Sequence, residues 1–150
     1  MATAKTHRFP VGVRWLEGKL TEASVPGKEP LRVATPPEFG GGVEGVWSPE
    51  DLFVGAVATC FTVTLVSAAR RLQAPLRGIE VSGTGEVGAR PDGRYGFVGV
   101  ELEVELVTEA GFEAEARRAA LDAERTCLVA VSLDTPVHLA LHVRAAPAAA

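Results

Sequence analysis

The chain has 150 residues, 47% hydrophobic and 23% charged, enough for one globular domain (1–150) and short for two, with neither a disordered nor a fibrous composition. A formal charge of −4 and a pI of about 5.4 leave no broad basic surface to neutralise phosphates, so nucleic acid is not an expected partner. The opening MATAKTHRFPVGVRW lacks the long apolar core of a secretory leader, so we expect a cytoplasmic protein whose thiols stay reduced at rest.

In chain order, RFPVGVRWLEGKLTEASV and PLRVAT read as short strands, with turns at Glu17 to Lys19 and at VPGKEP, forming an N-terminal meander. TPPEFGGGVEGVW carries too many prolines and glycines for regular structure and is predicted to be a loop. Ser48 is a good N-cap, Pro49 suits the first helical position, and Glu50 and Asp51 sit where the helix dipole favours negative charge. The helix they start is predicted to reach about Arg71, where Arg70 and Arg71 complement its C-terminal end and Pro75 stops it. Its 18 residues from Leu52 to Ala69 carry no charge, which raises the question of a membrane span. Gly55, Thr59, Thr62, Thr64 and Ser67 weaken insertion, and a helix apolar on every side also fits the centre of a soluble domain. We expect that second arrangement, and no membrane.

Beyond the helix, Gly78 to Ala89 and Tyr95 to Val107 flank Arg90-Pro91-Asp92-Gly93-Arg94, a hairpin signal. Val98, Val100, Leu102, Val104 and Leu106 share one face of the second strand, and Glu101, Glu103 and Glu105 share the other. With no histidine among them, these glutamates read as a solvated face rather than a metal site. Phe112, Ala116, Ala119, Ala120, Ala123 and Cys127 recur at helical steps, predicting an amphipathic helix from about Gly111 to Cys127. After a turn at Leu133-Asp134-Thr135-Pro136, VHLALHVR alternates as a last strand, with Val137, Leu139, Leu141 and Val143 inward and His138 and His142 outward. Four positions on a strand separate those histidines by about 13 Å, too far for one metal ion. AAPAAA is expected to be a frayed tail. No metal and no cofactor is expected.

The predicted fold class is α+β, with antiparallel sheet wrapped around a long buried helix. One amphipathic helix and three strands cover only part of a helix apolar all round, so a second copy is expected to complete it as a homodimer.

Cys60 lies in LFVGAVATCFTVTLVSAA and Cys127 in AERTCLVAVSL, each on a predicted helix. Buried cysteines are commonly inert small hydrophobes. A peroxide-reducing thiol instead needs its thiolate form, hence a nearby cation or amide donors, and a second thiol to trap the sulfenic acid before over-oxidation. Packed helices would satisfy the second need if the α-carbons approach within about 7 Å.

At SPEDLFVGAVATCF and AERTCLVAVSLDTPV the chain resembles the OsmC/Ohr family, osmotically inducible protein C and the organic hydroperoxide resistance proteins. Element order agrees from about Val11 to Val143. The resemblance implies an OsmC-like intertwined homodimer with sites at the subunit interface, and a thiol peroxidase acting on organic hydroperoxides. It implies Cys60 as peroxidatic nucleophile, Cys127 as resolving thiol, and Glu50 as the carboxylate that orients a catalytic arginine. It also implies a dithiol reductant, lipoylated proteins among them. The chain departs from the family at that arginine: the usual places hold Lys19 and the basic-free stretch PPEFGGGVEGVW, with Arg14 and Arg32 upstream. Lysine is no simple substitute for a planar guanidinium fork. Ala130 is a second departure, where many relatives carry a polar residue. The leading reading is a thiol peroxidase; the alternative is a non-catalytic OsmC-like protein that binds a small apolar molecule.

Overall fold

Residues 5–147 are described by a computed structural model, in which the chain divides into two compact units, one up to Leu52 and one from Phe53. In the first, β1 (Gly12–Glu17), β2 (Leu20–Ser24) and β3 (Leu31–Ala34) form an antiparallel meander in that order. Gly18, at φ 48°, makes the first turn possible, since a side chain is disfavoured there. The glycine-rich segment after β3 is irregular as expected, and Lys19 Nζ donates to the Gly40 carbonyl across it. Gly42 packs against the Pro36 carbonyl so closely that a Cβ would lie 2.2 Å from its oxygen.

Helix α1 (Pro49–Arg71) begins and ends where its capping residues indicate. Ser48 Oγ accepts from the Asp51 amide at 3.0 Å, and Asp51 Oδ2 accepts from the Ser48 amide at 2.8 Å, a reciprocal cap with aspartate in the usual glutamate place. At the far end the chain leaves the helix through Gln73 in the left-handed region, φ 54°. The Ala74 amide closes the turn on the Ala69 carbonyl at 2.9 Å.

In the second unit, β4 (Leu76–Ala89) and β5 (Tyr95–Thr108) form the expected hairpin. At its turn Gly93 takes φ 81° and its amide donates to the Arg90 carbonyl. Helix α2 (Glu113–Thr126) then crosses back to β6 (Val137–Ala145), which pairs with β5. Two findings correct the expected sheet. β6 runs parallel to β5, so this sheet is mixed rather than antiparallel throughout; β5–α2–β6 is a crossover, the connection a parallel neighbour requires. The β4–β5 register also slips between Glu86 and Val87, which pair with Gly99 and Phe97, leaving Val98 as an extra residue in β5. That bulge presents Phe97, not Val98 alone, to the helix: its ring stacks on Phe53 with centroids 4.2 Å apart.

The core of this unit lies between the sheet and the two helices. Val57, Phe61, Leu65, Ala68 and Ala69 of α1 meet Val100, Leu102, Val104 and Leu106 of β5, with Ala116, Ala119, Ala120 and Ala123 of α2 closing one side. Glycines let α1 approach β4: a Cβ on Gly83 would sit 2.9 Å from Val54 Cγ1, and one on Gly85 2.6 Å from Val54 Cγ2. Phe112, expected in the α2 stripe, is instead its N-cap and 38% exposed, because Gly111 at φ 90° delays the helix by two residues. Nor is α1 buried all round in the single chain: Val63 is 63% exposed and Val66 39%. The helix has the length and hydropathy to cross a membrane, yet its Val57–Phe61–Leu65 stripe is already committed to a protein core. The expected frayed tail is shortened by β6, which runs through Ala145; residues 148–150 lie outside those described.

Candidate active site

Cys60 lies near the middle of α1, beside the buried stripe and half-buried itself; Cys127 is the C-cap of α2 and fully buried. Both are free thiols, and packing against one core brings the two cysteines close enough for each to shift the other's acidity. The Cys127 amide still donates to the Ala123 carbonyl at 2.8 Å, and its carbonyl accepts from Val131, opening a single 3₁₀ turn at Ala130–Ser132. Between those bonds lie three successive amides, Leu128, Val129 and Ala130, which act on the thiols: those of Val129 and Leu128 favour the Cys60 thiolate, and those of Ala130 and Val129 favour that of Cys127. Helix starts leave such N–H groups without carbonyl partners, free to favour a nearby anion.

The two thiols are driven apart in acidity. Burial works to raise Cys60, but donation from the Val129 amide, the Cys127 thiol, the Thr64 hydroxyl and the Leu128 amide outweighs it, and the group is held below its ordinary value. Burial pushes the Cys127 thiol up; the Ala130 amide opposes this, while the hydrogen bond and the charge of Cys60 add to it. When the pair gives up a proton, Cys60 is the thiol favoured to lose it and Cys127 the one favoured to keep it. The groups that act most on Cys60 are neutral. Beside the pair, a cavity of about 250 Å³ with Phe61, Leu102, Cys127, Leu133, Val137 and Leu139 in its lining extends from Cys127 toward β6.

Glu50, the third expected site residue, belongs to the first unit, in the opening turn of α1. One carboxylate oxygen is buried and has no hydrogen-bond partner among the described residues. The basic residues weighed for it are engaged elsewhere or exposed: Arg14 pairs with Glu22 at 2.8 Å, Lys19 with Gly40, and Arg32 faces solvent. Ala130 supplies an amide to Cys127, a contribution its side chain does not announce. Thr64 was legible in the sequence only as one of several hydroxylated residues in α1. The outward-facing register sets His138 beside Glu101 and His142 beside Glu105, so histidines do join the glutamate row. Among the described residues, however, no group of three or more His, Cys, Asp or Glu side chains is placed to hold a metal ion.

A profile of the OsmC-like proteins matches residues 41–142, which takes in both cysteines and most of the second unit. The chain belongs to the OsmC-like family. Among proteins of curated function, none matches it. Solved structures share the OsmC-like fold over nearly the whole chain. An OsmC-like protein of unknown function from Vibrio cholerae has a TM-score of 0.83 at 17% identity, covering 93% of this chain and 100% of that one. An organic hydroperoxide resistance protein from Elizabethkingia anophelis has a TM-score of 0.72 at 19% identity, covering 96% and 100%. The organic hydroperoxide resistance protein OhrB of Bacillus subtilis has 0.68 at 20%, covering 92% and 98%. At these identities the likeness is one of OsmC-like fold.

Proposed function

We propose that this OsmC-like chain is a cysteine-based peroxidase that reduces organic hydroperoxides in the cytoplasm, its two units working as one domain within a homodimer. The observation that carries the reading is the Cys60–Cys127 contact, with one thiol favoured as thiolate and the other as thiol. In the first step the Cys60 thiolate attacks the terminal, hydrogen-bearing oxygen of the hydroperoxide and the O–O bond breaks. The departing alkoxide takes a proton and leaves as alcohol, and Cys60 becomes a sulfenic acid. Cys127 sulfur then attacks the sulfenic sulfur, water leaves, and the disulfide forms; a dithiol reductant, a lipoylated protein for example, returns both to thiols. The cavity beside Cys127, mainly apolar with Glu124, Asp134 and Thr135 also in its lining, suits a greasy substrate rather than hydrogen peroxide. Glu50, with its unpartnered oxygen, is suited to receive a cationic donor in the assembled protein.

A second reading, a non-catalytic protein that binds a small apolar molecule, is favoured by the neutral character of the groups that act most on Cys60 and by the same cavity. Stopped-flow consumption of cumene hydroperoxide by the reduced protein, with hydrogen peroxide in parallel and intact-mass readout, separates the two. Fast, organic-selective formation of an intramolecular disulfide, abolished in Cys60→Ser, supports the peroxidase. Oxidation no faster than that of a free thiol supports the binding protein.

A further inference from the structure

Among the described residues three polar side chains are buried, and two of them spend their hydroxyls on the main chain. Ser48 caps α1, and Thr108 donates to the Pro75 carbonyl at 3.0 Å. Thr135 differs. It is only 8% exposed, its hydroxyl makes no hydrogen bond to another described residue, and it lines the cavity of about 250 Å³ that runs from Cys127 toward β6. A buried hydroxyl without a partner is costly, and a mostly apolar cavity with a few placed polar groups is the usual form of a small-molecule site. The turn that carries Thr135 is also held in place, since the carbonyl of the next residue, Pro136, accepts from the Val100 amide of β5 at 2.9 Å.

Size and charge narrow what this cavity takes. At about 250 Å³ it exceeds the roughly 150 Å³ that holds a benzene ring and falls short of the roughly 300–1,000 Å³ of pockets for drug-sized molecules. A single ring with a small branch suits that space, and a long acyl chain does not. Glu124 and Asp134 are the charged members of the described lining, and Arg125, next to Glu124 in the chain, is turned to Asp122 at 3.0 Å. A carboxylate entering the cavity meets two like charges and no cation in that lining; a neutral hydroxyl or hydroperoxyl group meets Thr135, which can both donate and accept. We propose that the cavity is a binding site for a small uncharged organic molecule, an aryl or branched-alkyl body bearing one hydroxyl or hydroperoxyl group, with Thr135 as its hydrogen-bonding anchor and Glu124 and Asp134 turning carboxylates away. As the substrate class of the thiol pair this rests on the peroxidase reading; as a binding site it stands without it.

The test is calorimetric titration of the reduced protein at pH 7 with three probes that share one body and do not oxidise thiols: 2-phenyl-2-propanol, which is the alcohol left by cumene hydroperoxide, tert-butylbenzene, which has a methyl in place of the hydroxyl, and 2-methyl-2-phenylpropanoate, which has a carboxylate there. The expected result is saturable binding of the alcohol, one per chain, with the carboxylate about tenfold weaker or worse. Thr135→Val should weaken the alcohol by about two- to tenfold and leave tert-butylbenzene unchanged, while Thr135→Ser should hold the alcohol as the wild type does. A double variant, Glu124→Gln with Asp134→Asn, should narrow the gap between alcohol and carboxylate. A carboxylate bound as tightly as the alcohol overturns the proposal in the wild type alone, with no variant needed; so does an equal loss of the alcohol in Thr135→Val and Thr135→Ser. Fast cumene hydroperoxide consumption by a wild type that binds none of the three probes overturns the site and leaves the peroxidase standing. Binding as expected, with hydroperoxide consumed no faster than by a free thiol, overturns the peroxidase and leaves the site.

Discussion

Cys60 and Cys127 owe their opposite tendencies to one shared contact, so each is a probe of the other. Removing the Cys127 thiol takes away a group that holds Cys60 down, and Cys127→Ala should raise the Cys60 alkylation midpoint, while Cys127→Ser, which keeps a donor, should stay closer to the wild type. An unchanged midpoint in Cys127→Ala would mean that the Cys127 thiol has no part in setting Cys60. The pair also links stability to pH, with opposite signs. Cys60, lowered on folding, contributes stability that is fully present above the ordinary thiol value of about 8.5 and is lost as pH falls through its folded midpoint. Cys127, raised on folding, contributes stability that is fully present below about 8.5 and is lost as pH rises toward its folded midpoint. Urea midpoints of the reduced wild type minus those of a Cys60→Ala, Cys127→Ala double variant should therefore rise toward that value and decline beyond it; a flat difference would sink the assignment. The two cysteines were readable in the sequence because residue type and helical placement mark them. The amides of Leu128, Val129 and Ala130 were not, since a main-chain donor leaves no signature in residue identity. Thr64 was visible but stood among Thr59, Thr62 and Ser67, whose hydroxyls serve only the helix.

Among the elements, α1 shows how a local rule can be obeyed at one end and strained at the other. Ser48 and Asp51 satisfy the first amides reciprocally, but the helix exits through Gln73, a side chain held at φ 54° in exposed chain. Left-handed backbone costs a non-glycine residue about 1–2 kcal/mol, and glycine's greater unfolded-state freedom offsets part of the relief. Gln73→Gly should then stabilise the protein by about 0.5–1 kcal/mol, a rise in Tm of roughly 1–4 °C, measurable by calorimetry. A loss of stability would show that the Gln73 side chain contributes more than its backbone costs. The bounds of α1, the hairpin and the alternating faces of β5 and β6 follow from caps, the Asp-Gly step and period-two patterning, all local signals. The parallel direction of β6 does not, because alternation fixes which face a residue takes and is blind to which way its neighbour runs. The Val98 bulge was hidden for a related reason: one extra residue breaks the period without any change of composition.

At the scale of the whole molecule, the apolar surface left over is the feature that calls for explanation. In the first unit Phe9, Val11, Val13 and Trp15 are 86%, 63%, 66% and 69% exposed, alternate residues leading into and along β1. In the second unit Val63 and Val66 of α1 are exposed on the side away from its buried stripe. Single exposed hydrophobics are ordinary, but a row of four at strand spacing and a helix face with no partner are the pattern of surfaces that meet another chain. A second copy of the chain is the partner we expect, which also accounts for α1 having the composition of a fully buried helix with one face open. Sedimentation equilibrium should give a dimer at micromolar concentration. Trp15→Glu should shift it toward monomer, and Val63→Glu should do so independently, since the two positions belong to different units. Because a folded dimer is linked to protomer concentration, the wild-type Tm should climb as the protein is concentrated and the dependence should weaken in both variants. A wild type that stays monomeric at every concentration, with a Tm that does not move, would mean that these faces are covered by something other than a second copy.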